Sequence, residues 1–138
     1  MGEPRAELAI RHEVRQVNVL ALEPARWDLG TMFFVAESIT TDPDEFAAAT
    51  LAFGRALVPG APFAAAFMDG AVGYPVADQY FPAVRTVNVD LVRSVIEQFS
   101  DDVVVERVDV PANDPEQDGY EGMIVAVGTI RPDAGARS

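Results

Sequence analysis

The chain has 138 residues, of which 49% are hydrophobic and 23% are charged; these proportions are typical of one folded domain. The formal net charge of −12 argues against nucleic acid or an anionic membrane as a partner, because both are bound through Lys and Arg. The absence of cysteine excludes disulfides and a thiol nucleophile. With no signal-peptide pattern and no stretch long enough to span a bilayer, we expect a cytoplasmic protein.

The first half of the chain predicts strands and helices in alternation. Ala6–Arg15 favours a short helix, and the alternating segment Val14–Leu22 is typical of a strand. Leu29–Ala36 is a continuous apolar run, as in a strand buried on both faces of a parallel sheet. Thr40–Glu45 combines a capping side chain, proline and early carboxylates, which marks a helix start. Pro59–Gly60 predicts the end of that helix.

The second half predicts one more crossover and a closing pair of strands. Ala61–Met68 indicates a second buried strand, followed by a loop and an amphipathic helix that begins at Asn88 or Asp90. Val103–Val110 and Gly122–Ile130 read as strands with no room for a helix between them, so they must pair antiparallel.

This order predicts an α/β fold, with a mostly parallel sheet closed by a C-terminal antiparallel hairpin and helices on both faces. We expect a single domain over residues 1–138, with a frayed tail over 131–138. One histidine, His12, and no cysteine give no spacing typical of a metal site.

Several segments resemble class I S-adenosylmethionine (SAM) methyltransferases, whose partial Rossmann-like sheet also ends in an antiparallel hairpin. Phe33–Thr40 and Arg55–Phe63, with its Pro-Gly turn, are similar to the fourth strand and to the entry into the fifth. The loop with Met68-Asp69, Tyr74 and Phe81-Pro82 resembles the substrate loop of the amine N-methyltransferases, a family with the nicotinamide, phenylethanolamine and thioether enzymes. The resemblance runs roughly from Val14 to Ile130.

The resemblance implies methyl transfer from SAM to a small amine or similar acceptor, and it implies site residues. Asp69 would be the catalytic, substrate-facing acid, although an Asp-Gly pair also forms turns. Tyr74 and Phe81 would bind the substrate, or simply pack the loop. The resemblance also places four residues beside the cofactor: Asn18, Phe33, Phe34 and Ile39. For the residues of the apolar run, core packing in a buried strand predicts the same pattern. Glu37 is a further strand-end acid that could instead cap the following helix.

The main departure from that family is the lack of the glycine-rich cofactor loop that its members carry after their first strand. The resemblance therefore implies a truncated domain in which the strand at Leu29–Ala36 has an open edge. The orphan strand Val14–Leu22 could close this edge, the chain could form a homodimer, or a complementing chain could supply the strands. The function is then either methyl transfer or that of a non-catalytic remnant, acting as a subunit or small-ligand binding module. An unrelated α/β dimer with an acidic pocket is a third alternative.

Overall fold

The structure is a computed structural model that describes residues 12–69, 73–76, 78–82, 87–109 and 122–132. A short 3-10 helix at Val19–Ala21 precedes the strands and helices. These are β1 (Gly30–Phe33), α1 (Pro43–Arg55), β2 (Pro62–Asp69), β3 (Gly73–Val76), β4 (Gln79–Pro82), α2 (Val89–Ile96), β5 (Val104–Asp109) and β6 (Gly122–Thr129). Most of the predicted helix Ala6–Arg15 lies outside the described residues, and its last four positions are irregular. Most of the predicted tail, residues 133–138, also lies outside them.

Four strands form one sheet in the order β1-β2-β6-β5. β1 pairs parallel with β2, from Gly30 opposite Phe63 to Phe33 opposite Ala66. β6 pairs antiparallel with β2 on one side and with β5 on the other. This confirms the predicted α/β class, the adjacent parallel strands and the closing antiparallel pair. The sheet is mixed rather than mostly parallel, since one of its three pairings is parallel.

Both helices begin at the caps that the sequence indicates. The Asp42 side chain accepts a hydrogen bond from the Asp44 amide at the start of α1, with Pro43 in the first turn. At the start of α2, the Asn88 side chain accepts from the Leu91 amide, so Asn88 rather than Asp90 is the cap. Neither described helix has the length and apolar character needed to cross a bilayer.

Both helices pack on the same face of the sheet, which we call the covered face. Phe67 of β2 packs edge-on against Phe46 of α1, with ring centroids 5.5 Å apart. Phe63 of β2 packs in the same way against Phe53 of α1, at 6.3 Å. Phe99, just after α2, packs against Phe63 at 5.6 Å. The buried core therefore lies between this face and the two helices.

The opposite face carries no described helix, and we call it the open face. The strand register places these side chains on it: Thr31, Phe33, Ala64, Ala66, Met68, Val104, Glu106, Val108, Met123, Val125 and Val127. Phe33 is 53% exposed, Val104 52% and Val127 44%. Two expectations therefore fail for the described residues, namely helices on both faces and a first strand buried on both sides. The reason is that α1 and α2 both pack on the covered face, so no described helix shields the other face of β1.

The segment Val14–Leu22 is not a strand, which corrects the sequence prediction. Val14 is 87% exposed and Val17 59%, and Asn18 instead caps the 3-10 helix by accepting from the Leu20 amide. Its 3-10 helix lies against α1. An alternating pattern forms a strand only beside a partner with free backbone groups, and no described strand pairs with it.

The predicted loop after β2 contains a β-hairpin. β3 and β4 pair antiparallel and form a separate two-stranded sheet. Pro75 and Pro82 obscure this hairpin in the sequence, because proline within a run argues against a strand.

Candidate functional site

The carboxyl ends of β1 and β2 meet at one edge of the sheet, which we call the rim. Parallel strands with helical crossovers bind ligands at such an edge. Phe33 is the last residue of β1, Phe34 follows it directly, and Ile39 lies in the loop toward α1. Their side chains are 53%, 39% and 55% exposed. In the described part of the chain these three residues are therefore not packed in the core, and they leave apolar surface exposed at the rim.

Phe34 has an unusual backbone at this rim. Its amide still donates to the Ala66 carbonyl at 2.8 Å, so the residue is held against β2. Its φ angle is 59°, in the left-handed region that non-glycine residues rarely adopt. Strained residues of this kind concentrate at ligand sites.

Glu37, identified from the sequence only as a strand-end acid, has an environment that the sequence analysis did not predict. It lies in the loop just after β1 and is completely buried. Neither of its carboxylate oxygens has a hydrogen-bond partner. Burial raises the pKa of Glu37 to about 7, while the nearby amides of Glu37 and Met68 oppose this shift weakly without meeting hydrogen-bond geometry. It does not cap α1, because Asp42 does. The sequence feature that could have indicated a buried acid is the position of Glu37 directly after the apolar run Leu29–Ala36.

Asp69 lies at the end of β2, as predicted, but it is engaged by an arginine. Nε of Arg107 donates to Asp69 Oδ2 at 2.6 Å, and the same guanidinium pairs with Asp109. The arginine crosses β6 at Gly122, where a Cβ would lie 2.9 Å from Arg107 Nη2 and 2.9 Å from the Val108 carbonyl oxygen. Asp69 therefore serves an ion pair on the covered side of the rim, a role that the sequence did not indicate.

The structure brings Tyr74 and Phe81 together, since they are direct cross-strand partners in the β3–β4 hairpin. The hairpin begins four residues after Asp69 in the sequence. Asn18, the fourth residue predicted for the cofactor, lies on the segment against α1 and is used as a cap. The strand predicted around Asn18 is therefore replaced by a 3-10 helix that Asn18 caps.

A cavity in the described part of the chain lies away from the rim. It has a volume of about 570 Å³ and opens at the end of α1, where Leu57, Phe99 and Ile130 line it. These residues flank the opposite ends of the strands, so the cavity is remote from Glu37 and Asp69. Across the described parts of the chain, no group of three or more His, Asp or Glu side chains could hold a metal ion.

The fold identifies the class of protein to which the chain is similar. No family model matches the sequence, and no curated protein is similar to it. Solved structures do match. A SAM-dependent methyltransferase from Methanosarcina mazei is 12% identical with a TM-score of 0.59, over 83% of this chain and 66% of that one.

Two N-methyltransferases match in the same way. NodS from Bradyrhizobium japonicum, solved with S-adenosylhomocysteine, is 13% identical with a TM-score of 0.54, over 83% of this chain and 52% of NodS. Phosphoethanolamine N-methyltransferase 2 from Haemonchus contortus, solved with SAM, is 13% identical with a TM-score of 0.51, over 83% and 36%. The described chain thus has part of the class I SAM methyltransferase fold and spans between about a third and two thirds of these proteins' lengths.

Proposed function

We propose that this chain forms the acceptor-side part of a cytoplasmic SAM-dependent methyltransferase that acts on a small amine. The fold shared with SAM-dependent methyltransferases, two of them N-methyltransferases, carries the proposal. The rim supports it, since it combines exposed apolar side chains with two acids at the ligand-binding edge of an α/β sheet.

The rim residues fit one side of an adenosyl group. Phe33, Phe34 and Ile39 offer exposed apolar surface on which a purine can lie. Bound SAM would supply a methyl group on a positively charged sulfur. The described residues include no glycine-rich loop for the rest of the cofactor, so the proposal assigns this chain the apolar wall and the acceptor side.

The chemistry at the acceptor side requires an amine whose lone pair is free. A small aliphatic amine has a pKa of about 10, like that of lysine, and therefore arrives protonated. SAM would supply the methyl group, and the task left to this chain would be to free the lone pair of the amine nitrogen. The amine proton must leave to a base, and a base works best when its pKa lies near the operating pH.

Glu37 has the pKa that this role requires, at about 7. A cationic amine beside it would also give its buried carboxylate the partner that it lacks. Because the side chain is completely buried, an amine reaches it only if neighbouring rim side chains move. The formal charge of −12 attracts a cationic acceptor to the molecule as a whole.

The narrower proposal is an acceptor of the kind methylated by the nicotinamide, phenylethanolamine and thioether family. It rests on Asp69 and on the pairing of Tyr74 with Phe81 in the loop that resembles this family's substrate loop. For Asp69 to hold an amine, the amine must compete with Arg107 for its carboxylate.

A second candidate is a non-catalytic module that serves as a subunit or binds a small ligand. One observation favours it, because Arg107 already neutralises Asp69.

Calorimetric titration with SAM and with S-adenosylhomocysteine distinguishes the two candidates. We expect heat with both ligands, and a loss of affinity of about tenfold or more in Phe34→Ser, which removes apolar surface from the rim. Leu20→Ser is the matched control, because Leu20 is 45% exposed on the 3-10 helix; its affinity should not change. Absence of heat at millimolar ligand would contradict the proposal and favour the non-catalytic module.

Methyl transfer to a panel of small amines tests the acceptor side. Glu37→Gln should reduce turnover by about 10²-fold or more, as loss of a general base does, while the heat of S-adenosylhomocysteine binding is kept. Turnover that is unchanged in Glu37→Gln but lost in Asp69→Asn would assign the base to Asp69 instead.

A further inference from the structure

The cavity at the end of α1 combines an apolar floor with a polar mouth. Leu57, Phe99 and Ile130 line it and are buried, so they form the floor. Arg55 and Gln98 also line it, and both are exposed to solvent. Its volume of about 570 Å³ is several times the roughly 150 Å³ left when one core side chain is deleted. It lies within the range of about 300–1,000 Å³ that is typical of small-molecule sites.

Main-chain hydrogen bonds hold the walls of this cavity. The Ala25 amide donates to the Arg55 carbonyl at 2.7 Å, which fixes the chain before β1 to the end of α1. The Arg131 amide donates to the Phe99 carbonyl at 2.8 Å, which fixes the chain after β6 to the end of α2. Ala25 has a φ of 50°, a strained conformation of the kind that concentrates at ligand sites. The cavity is therefore preformed, and a preformed site loses less entropy when a ligand binds.

Arg55 carries the only charge among the described residues that line the cavity. In the described parts of the chain its guanidinium has no carboxylate partner, unlike those of Arg26 and Arg131, which directly follow lining residues in the sequence. A guanidinium can donate two parallel hydrogen bonds to one carboxylate. Gln98 adds an amide that can donate a further hydrogen bond at the mouth. The lining thus combines apolar surface with a group that recognises an anion.

We propose that this cavity binds a small monocarboxylate with an apolar body, at a site separate from the rim. The body lies on the floor, and the carboxylate pairs with Arg55 at the mouth. The carbonyl ends of α1 and α2 both lie at the cavity and carry partial negative charge. The formal charge of −12 also opposes anions. One arginine balances a single carboxylate under these conditions but not a phosphate dianion, so the ligand carries one negative charge.

An NMR titration that follows the backbone amides of the intact chain tests this proposal. The probes are phenylbutyrate and its uncharged amide, phenylbutyramide, which have nearly the same shape. We expect saturable shifts at the amides of cavity residues, among them Gly54, Leu57 and Ile130, and none at Glu37 beside the rim. Phenylbutyrate should bind about fivefold more tightly than phenylbutyramide, because only the carboxylate forms an ion pair with the partly solvated guanidinium.

Three variants separate the charge from the shape of the cavity. Arg55→Gln should lower the affinity for phenylbutyrate about fivefold and leave that for phenylbutyramide unchanged. Arg93→Gln is the matched control and should bind both probes like the wild type, since Arg93 is likewise exposed in the last turn of a helix but does not line the cavity. Ala48→Phe, at an exposed lining position of α1, narrows the mouth and should weaken binding of both probes.

Three results would overturn the proposal. The first is a folded wild-type chain without saturable shifts at the cavity. The second is equal affinity of the wild type for phenylbutyrate and phenylbutyramide, which would show that no charge is recognised. The third is an Arg55→Gln variant that keeps the full preference for the carboxylate.

Discussion

The covered face and the open face belong to the same four strands, yet they differ in what they contribute. On the covered face, Phe63 and Phe67 are 3% and 0% exposed beneath two helices. On the open face, Phe33 and Val127 have similar apolar character but remain about half exposed. Apolar alternation in a strand therefore does not tell which face the crossing helices occupy. Stability should therefore depend more on the covered face than on the open face, and matched substitutions of Phe67 and Phe33 test this difference.

The largest expected effect is the loss of a core ring. Phe67→Ala removes a completely buried ring that contacts Phe46 and should lower the free energy of unfolding by about 3–5 kcal/mol. Phe33→Ala, the matched change on the open face, should lower it by less than about 1 kcal/mol. Urea denaturation of dilute protein measures both. Equal losses would show that the two faces do not differ in stability as described.

The next effect concerns Glu37 and depends on pH. Its pKa is raised from 4.5 to about 7, so between these values the folded chain keeps a proton that the unfolded chain releases. Stability therefore falls as pH rises across this window, and by pH 8 the buried carboxylate costs roughly 3 kcal/mol. Glu37→Gln should remove most of this loss and should match the wild type at pH 4.

Glu97→Gln is the control for that experiment, since it removes one negative charge from an exposed position at the end of α2. Its unfolding free energy should follow the pH dependence of the wild type. A Glu37→Gln variant that loses stability between pH 4 and pH 8 as steeply as the wild type would contradict the assignment of the raised pKa to this residue.

A smaller effect is expected where the two helices meet on the covered face. A Cβ at Gly54 would lie 2.6 to 2.8 Å from three ring atoms of Phe99. Gly54→Ala should therefore destabilise the fold by about 1–2 kcal/mol, although alanine is the better helix former. Adding Phe99→Leu should recover part of the loss, as thermal unfolding can show. A stabilised Gly54→Ala would mean that the helices are less closely packed than described.

The smallest effect belongs to the ion pair at the rim. Arg107 is 32% exposed and Asp69 is 16% exposed, so Arg107→Gln should cost less than about 1 kcal/mol and less still at high salt. A double-mutant cycle with Asp69→Asn isolates the pair. A coupling well above 1 kcal/mol would make this pair structural and would weaken the case for Asp69 as a substrate ligand.

The sequence predicted well those elements that local chemistry determines. Asp42, within the predicted helix start Thr40–Glu45, and Asn88, one of the two predicted starts of the second helix, are the caps. The buried strand predicted at Ala61–Met68 occurs at Pro62–Asp69, parallel to β1 as expected. Short side-chain caps and apolar runs act within a few residues, so they can be recognised without knowledge of the tertiary fold.

Features that depend on distant partners could not be predicted in this way. Val14–Leu22 alternates like a strand but finds no sheet edge. Phe33 looks like a core residue until the helices are placed. The pairing of Asp69 with Arg107 joins residues on strands separated by β6. At the candidate site, the sequence located Asp69, Phe33, Phe34 and Ile39 at the rim but did not predict how far burial shifts Glu37.

The positive φ of Phe34 has a consequence for how ligands could be bound. The left-handed backbone conformation costs Phe34 about 1 kcal/mol relative to the right-handed region. The hydrogen bond from its amide to the Ala66 carbonyl helps to keep the residue in that conformation. The backbone that carries the aromatic ring is therefore fixed by main-chain contacts before any ligand binds. Phe34→Gly would keep that backbone turn at lower strain and delete the ring, so it separates the shape of the turn from the surface that it displays.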